Sequence, residues 1–255
     1  MKKPRQYQTD TITELRKSIS NGAKRPIICL PTGAGKTFTF SMLTQLAINK
    51  FKKVGVVCHR IELVEQARDT MEAFGLPVER IPFGMVQTYV RSPHKIPNMD
   101  ICIIDECHTG NFRRFIELLP DTCQVIGATA TPISSSNKRP LNEVFDAVVA
   151  PVGIRQLIEE GYLSKPTYHV WKIDESKLVR DFKGEFTNES QAKVFHIEDL
   201  LEAVNRRVGK TIIFTSSIDQ TKQVHDAIDA PNKFMVHSKM SAKERKRIVA
   251  LFKMT

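Results

Sequence analysis

Short apolar runs of strand length recur along the chain, and segments of helical period separate most of them. The runs are Pro26–Leu30, Val54–Cys58, Asp100–Ile104, Gln124–Ala128, Thr167–Ile173, Thr211–Thr215 and Lys233–Val236. Between them, Phe38, Met42, Leu43, Leu46 and Ala47 fall at helical intervals, as do Leu63, Val64, Ala67 and Met71, and later Ile197, Leu200, Leu201 and Val204. A strand that is apolar on both faces cannot lie on a solvated sheet surface. Alternated with helices, such strands predict a parallel sheet covered on both sides, so the fold class is α/β.

Residues 133–166 suggest a boundary. Ser134, Ser135, Ser136 and Pro140 read as a loop, Gly153–Glu160 as a short helix stopped by Gly161, and Pro166 as the start of a new extended segment. We expect one domain over residues 1–160 and a second, smaller one over 161–255. The 255 residues are ample for a buried core, and 41% hydrophobic with 26% charged residues is an ordinary globular balance. No apolar run reaches the length of a membrane helix, which predicts no membrane partner. Polar residues through Thr13 occupy the place where a signal peptide would need its apolar core. Five cysteines show no Cys-x-x-Cys pair, which fits inert thiols in a reducing, intracellular and cytoplasmic setting.

Charge is segregated. Residues 1–60 carry 12 Lys/Arg against 2 Asp/Glu, residues 61–200 carry 15 against 21, and residues 201–255 carry 11 against 5. Basic ends around an acidic middle, within a net charge of +10, suit a polyanion partner as well as they suit a solvated surface.

The sharpest local signal is Pro31-Thr32-Gly33-Ala34-Gly35-Lys36-Thr37, directly after the first strand and before the first long helical pattern. Gly33 and Gly35 let backbone N–H groups curl around phosphate oxygens at the positive end of the following helix. Lys36 would reach the β- and γ-phosphates of ATP, and the Thr37 hydroxyl would hold Mg²⁺. Leu30 stands where the usual phosphate-loop pattern has its first glycine. A second strand ends in Asp105-Glu106-Cys107-His108. Asp105 is placed to bind Mg²⁺, and Glu106 to orient and deprotonate an attacking water.

Pro31–Thr37, Asp105–His108 and Gly127-Ala128-Thr129-Ala130-Thr131-Pro132 resemble, in order and spacing, motifs I, II and III of superfamily 2 helicases of the DExH type. Cys58-His59-Arg60-Ile61-Glu62-Leu63-Val64-Glu65-Gln66 is similar to motif Ia of the type III restriction and DNA-repair branch, and Gly84–Thr88 is similar to motif Ib. The resemblance implies a RecA-like first domain, with Thr32, Gly33, Ala34, Gly35, Lys36 and Thr37 around the nucleotide. It also implies that Gln8 reads the adenine edge with Arg5 or Tyr7 near the base, and that His108, Thr129 and Thr131 couple nucleotide state to closure. For Gln8 a polar helix start, and for His108 a satisfied structural histidine, remain equally open from the residues alone.

Gly209–Ser217 is similar to motif IV and Val236–Met240 to the strand that follows it, which implies a second RecA-like domain. Residues up to Thr255 hold no match to motifs V and VI, whose arginines complete the ATP site in the family. We therefore expect an incomplete second domain, slow hydrolysis by the chain alone, and a chain in trans carrying those motifs as a partner. The implied activity is that of an ATP-dependent helicase or translocase on nucleic acid, DNA favoured over RNA, with ATP and Mg²⁺ as cofactors. An ATP-responsive nucleic-acid clamp is the alternative. A small-molecule phosphate-loop kinase would share Gly35-Lys36-Thr37 but leaves Gln8, Thr129–Thr131 and motif IV unexplained.

Overall fold

The computed structural model describes residues 3–109, 112–133, 140–170, 172–182, 184–205 and 209–254. Its internal contacts divide the chain into two units, Met1–Pro166 and Thr167–Thr255. Ser134–Ser136 of the expected loop and Trp171 of an expected strand lie outside the described residues.

The first unit is built on a six-stranded sheet, all parallel. In chain order the strands are β1 (Pro26–Cys29), β2 (Val54–Cys58), β3 (Phe83–Met85), β4 (Ile101–Asp105), β5 (Gln124–Thr129) and β6 (Ala147–Val149), and their spatial order is β3-β2-β4-β5-β1-β6. Register is fixed by pairs such as Val56 with Ile103, Ile103 with Ile126, and Ile27 with Gly127.

Neighbouring residues on the central strands fall into two separate cores. Ile28, Val56, Ile103 and Ile126 face one core; Ile27, Val57, Ile104 and Val125 face the other. This two-sided burial is what the unbroken apolar runs require. The first face is covered by α1 (Gln6–Ser20), α2 (Lys36–Ile48) and α3 (Ile61–Ala73) through Leu15, Phe40, Leu43, Val64 and Met71. The opposite face is covered by α4 (Val86–Arg91) and α5 (Phe112–Ile116) through Val86, Tyr89, Phe112 and Phe115. Tyr89 and Phe115 stack at 5.7 Å, and the Tyr89 ring occupies the space a Cβ on Gly84 would need. Burying a side chain such as Phe40, only 1% exposed, contributes roughly 1.5–3 kcal/mol. Leu157, on α6 (Ile154–Glu159), closes the first core.

Four of the expected strands form within a residue of their expected ends. The edge strands β3 and β6 are new; each has three residues, too few for a pattern to register. Each link between parallel neighbours crosses over the sheet, which gathers the loops of interest at the strands' carboxyl ends.

The second unit contains α7 (Asn188–Val194), α8 (Ile197–Asn205), α9 (Ile218–Ala227) and α10 (Ala242–Met254). Thr187 and Ser217 cap α7 and α9 by accepting from the Ser190 and Gln220 N–H groups. Among its described residues the expected strands 167–173, 211–215 and 233–236 enter no ladder, and the sole bridge joins Arg180 to Phe186. An apolar run becomes a strand only when a neighbour takes its N–H and C=O groups. Here Tyr168, Val170, Ile212 and Phe214 stand exposed.

Candidate nucleotide and catalytic site

After β1, the Leu30 N–H donates to the Thr129 carbonyl at 3.1 Å, and the chain then turns sharply, the Ala34 N–H reaching the Pro31 carbonyl at 3.0 Å. Gly33 and Gly35 sit in the left-handed region at φ +83° and +80°, and Gly35 caps the 13-residue α2. The loop is held from behind by α1. The Ala34 carbonyl points inward and accepts from the Tyr7 hydroxyl at 2.8 Å and from Gln8 Nε2 at 3.1 Å. Gln8 Oε1 in turn accepts the Arg5 N–H at 3.0 Å, supplying the start of α1 with a cap that its sequence otherwise lacks. A Cβ on Gly35 would lie 2.8 Å from Gln8 Nε2, so this glycine is needed for both its backbone and its space.

The carboxylates converge on this loop from β4. Asp105 ends the strand, and its Oδ1 accepts the Glu106 N–H at 3.0 Å. Glu106 has φ +49°, and its carboxylate lies between Lys36 Nζ at 3.4 Å and His108 Nδ1 at 3.3 Å. His108 Nδ1 is also 2.7 Å from Thr129 Oγ1. A bare nitrogen lone pair against a carboxylate would be repelled, so Nδ1 carries the proton. The Thr129 hydroxyl is then free to give its one proton to the Thr131 carbonyl at 3.0 Å, while accepting the Thr131 N–H at 3.0 Å. Motifs II and III are joined through this short chain of polar groups.

Burial pushes the Asp105 carboxyl up to about 6; the neighbouring Glu106 charge adds to the rise, and Lys36 and the Glu106 N–H oppose it. A half-buried carboxylate whose charge Lys36 only partly offsets, together with the Thr37 hydroxyl in the first turn of α2, is a donor set that suits a hard divalent cation. The loop's N–H groups and Lys36 suit the phosphates. A Mg²⁺ ion held there would take the rest of its coordination from phosphate and water. Cys58, Cys102, Cys107 and Cys123 are buried, with thiols pushed above their usual range chiefly by burial, which makes them inert.

A hollow of about 400 Å³ opens beside the loop, bounded by Arg5, Gln8, Gly33, Gly35, Phe38 and Phe74. Phe38 and Phe74 meet edge to face at 5.2 Å, and Arg5 lies over the Tyr162 ring at 4.7 Å. The hollow has the apolar and amide lining a nucleobase requires. Every candidate residue from the sequence therefore lies in the first unit: Thr32 to Thr37 on the loop, Gln8 behind it, and Asp105, Glu106, His108, Thr129 and Thr131 at the ends of β4 and β5. Tyr7 is buried with its hydroxyl committed to Ala34, so it is a loop anchor rather than an open platform. Sequence reasoning missed the Phe38–Phe74 pair and the hydrogen bonds that join Gln87 to His59, His59 to Thr109 and Thr109 to Glu106. Phe38 follows the loop directly and could have been found; the others are set by tertiary contacts.

A parallel sheet whose carboxyl edge brings a glycine loop, its lysine and an Asp-Glu pair together defines a phosphate-loop nucleotide-binding protein. Residues 1–90 match the family described as "Type III restriction enzyme, res subunit". The chain is 25% identical over 281 residues to the type I restriction enzyme EcoAI endonuclease subunit of Escherichia coli, covering 89% of this chain and 34% of that protein. It is 31% identical over 203 residues to the putative ATP-dependent helicase IRC3 of Saccharomyces cerevisiae, covering 67% of this chain and 29% of that one. It thus spans about a third of the length of these relatives. The crystal structure of the UvsW helicase from bacteriophage T4 aligns with a TM-score of 0.48 at 18% identity, over 59% of this chain and 61% of that one. These matches make the chain similar to superfamily 2 helicases of the restriction-enzyme and repair branch.

Proposed function

We propose that the chain is the ATP-binding part of a nucleic-acid translocase or helicase, with residues 161–255 contributing part of a second RecA-like domain. The observation that carries this reading is the convergence of Lys36, at the start of α2, and His108, in the turn after β4, on the two oxygens of Glu106. Bound Mg²⁺ would supply charge neutralisation and orientation of the β- and γ-phosphates, held through Thr37 and Asp105. Lys36 would bind those phosphates, Gln8 the adenine edge by its remaining N–H and lone pair, and Glu106 would take the proton of the attacking water. His108, Thr129 and Thr131 would pass the state of Glu106 to the β5 end and from there to domain closure.

The likeness to restriction-enzyme subunits favours DNA over RNA as the strand. No described helix is long and apolar enough to cross a membrane, and we place the protein's work in the cytoplasm, where ATP and nucleic acid meet. Residues 1–255 contain no counterpart of motifs V and VI. The 255-residue polypeptide should therefore bind Mg·ATP but hydrolyse it slowly, since an arginine finger contributes on the order of 10³–10⁵ in rate. An ATP-responsive nucleic-acid clamp is the second reading. ATPase assays with and without single-stranded DNA, duplex DNA and RNA, repeated with a chain carrying motifs V and VI, separate the two. Stimulation by nucleic acid and by the added chain supports the motor; ATP-dependent binding without either stimulation supports the clamp; absence of nucleotide binding overturns both.

A further inference from the structure

Glu106 occupies a left-handed backbone conformation that side chains other than glycine rarely adopt, and only Phe51 shares this among the described non-glycine residues. Something must hold it there. On the amino side the Glu106 N–H is fixed by Asp105 Oδ1. On the carboxyl side the Glu106 carbonyl accepts twice from Thr109, from its N–H at 3.0 Å and from its hydroxyl at 2.9 Å.

The Thr109 hydroxyl has one proton, and the Glu106 carbonyl can only accept. Its oxygen is therefore the acceptor towards His59 Nδ1, 3.1 Å away, and that nitrogen must carry a proton. His59 follows directly on β2, and its own carbonyl is held at 3.1 Å by Nε2 of Gln87, in the first turn of α4 just after β3. Gln87, His59, Thr109 and Glu106 thus form a directional series of hydrogen bonds lacing together the carboxyl ends of β3, β2 and β4. Neither His59 nor Thr109 belongs to the phosphate loop or to the hollow beside it.

We propose that His59 and Thr109 are positioning residues for Glu106: His59, donating through Nδ1, aligns the Thr109 hydroxyl, which pins the Glu106 backbone and so aims its carboxylate. The proposal rests on the reading of Glu106 as the base of ATP hydrolysis. Because the series acts on the Glu106 main chain and touches no nucleotide-binding group, its loss should slow the chemical step and leave nucleotide binding intact.

The test uses the 255-residue chain in single-turnover hydrolysis with Mg·ATP, alongside the dissociation constant of a fluorescent ATP. Thr109→Val and His59→Ala should each slow hydrolysis about tenfold, as expected for a misplaced catalytic group, with binding changed less than about twofold. Thr109→Ser keeps the hydroxyl, and His59→Asn keeps an N–H near the place of Nδ1–H; both should recover to within about threefold of the parent rate. The double variant His59→Ala/Thr109→Val should be no slower than the slower single, since both break one series. Equal losses in rate and affinity, failure of Ser and Asn to rescue, or multiplicative losses in the double variant would overturn the proposal. A parent chain that hydrolyses nothing, alone or with the chain carrying motifs V and VI, overturns the ATPase reading instead. The series is then judged by imidazole ¹⁵N NMR, in which a neutral His59 with the proton on Nδ1, altered by Thr109→Val, supports it and a proton on Nε2 alone refutes it.

Discussion

The Ala34 carbonyl is the point at which α1 and the phosphate loop are joined, and the join can be measured without nucleotide. Ala34 is 0% exposed, so its carbonyl depends on the Tyr7 hydroxyl and the Gln8 amide alone. Tyr7→Phe removes one of the two donors, a net loss of about 1 kcal/mol for a typical buried hydrogen bond. Gln8→Met keeps the volume of the side chain and removes both of its bonds. The Arg5 N–H can turn to water because Arg5 is only half-buried, and the Ala34 carbonyl keeps Tyr7, so the cost should again be about 1–2 kcal/mol. The double variant differs in kind, because it leaves a buried carbonyl with no donor. That adds the desolvation penalty of an orphaned group, about 1–3 kcal/mol beyond the sum of the singles. For a unit of this size an excess of 2 kcal/mol is a further fall of roughly 4–8 °C in Tm. Urea unfolding followed by far-UV circular dichroism on the parent, both singles and the double gives the cycle. Additive losses within about 0.5 kcal/mol would refute the tether. Gln8 would then be free to serve the base alone, and its substitution would appear only in nucleotide affinity.

Three further outcomes follow from the same geometry. Gly35→Ala forces a left-handed residue at φ +80° and sets a methyl 2.8 Å from Gln8 Nε2; the chain should lose about 2 kcal/mol in urea unfolding and at least tenfold in ATP affinity by fluorescence titration. Asp105→Asn should stabilise the chain in EDTA at pH 8. The Asp105 carboxyl, raised from 3.8 to about 6 in the fold, favours the folded state at low pH, and this contribution is lost as pH rises through 6. Parent and variant Tm curves should therefore diverge between pH 4 and pH 7 by the equivalent of about 3 kcal/mol, and parallel curves would sink the assignment. Glu106→Gln should slow hydrolysis by about 10²–10⁴ while Mg·ATP binding, read by calorimetry, holds or tightens.

Much of this arrangement is written locally. The central strands show in sequence because each is buried on both faces, and Lys36, Thr37, Asp105 and Glu106 show because a strand end and a glycine loop are contiguous motifs. The edge strands Phe83–Met85 and Ala147–Val149 do not show, since three residues carry no period and their pairing is decided by β2 and β1. Conversely, Thr211–Thr215 looks like a buried strand but has no ladder here, because pairing is a property of two segments and a sequence run describes one. The same distinction governs the site. Tyr7, His59, Gln87 and Thr109 act through partners 27, 50, 28 and 3 residues away; only the last lies within the reach of a pattern. Motif Ia and the Asp-Glu pair were each legible, but not that one histidine of the first supports the backbone of the second.

The Lys36–Glu106 contact ties these points to mechanism. At 3.4 Å, with side chains 12% and 26% exposed, it is neither a fully solvated pair nor a desolvated one, and a pair of this kind contributes on the order of 1 kcal/mol. That is enough to hold the lysine over the loop and the carboxylate over the strand end. It is too little to compete with the charge of a triphosphate. Nucleotide would therefore displace Glu106 from Lys36 at a cost of only several-fold in affinity, and the displaced carboxylate would keep His108 as its remaining neighbour. The free glutamate is then the form able to take a proton from water. Its direction at that moment depends on the groups that nucleotide does not disturb, the Glu106 main chain pinned by Thr109 and, behind it, His59. As the base, Glu106 would be restrained through its side chain until substrate arrives and through its backbone throughout; both sets of contacts lie at the ends of adjacent parallel strands, which the order β3-β2-β4-β5-β1 brings together.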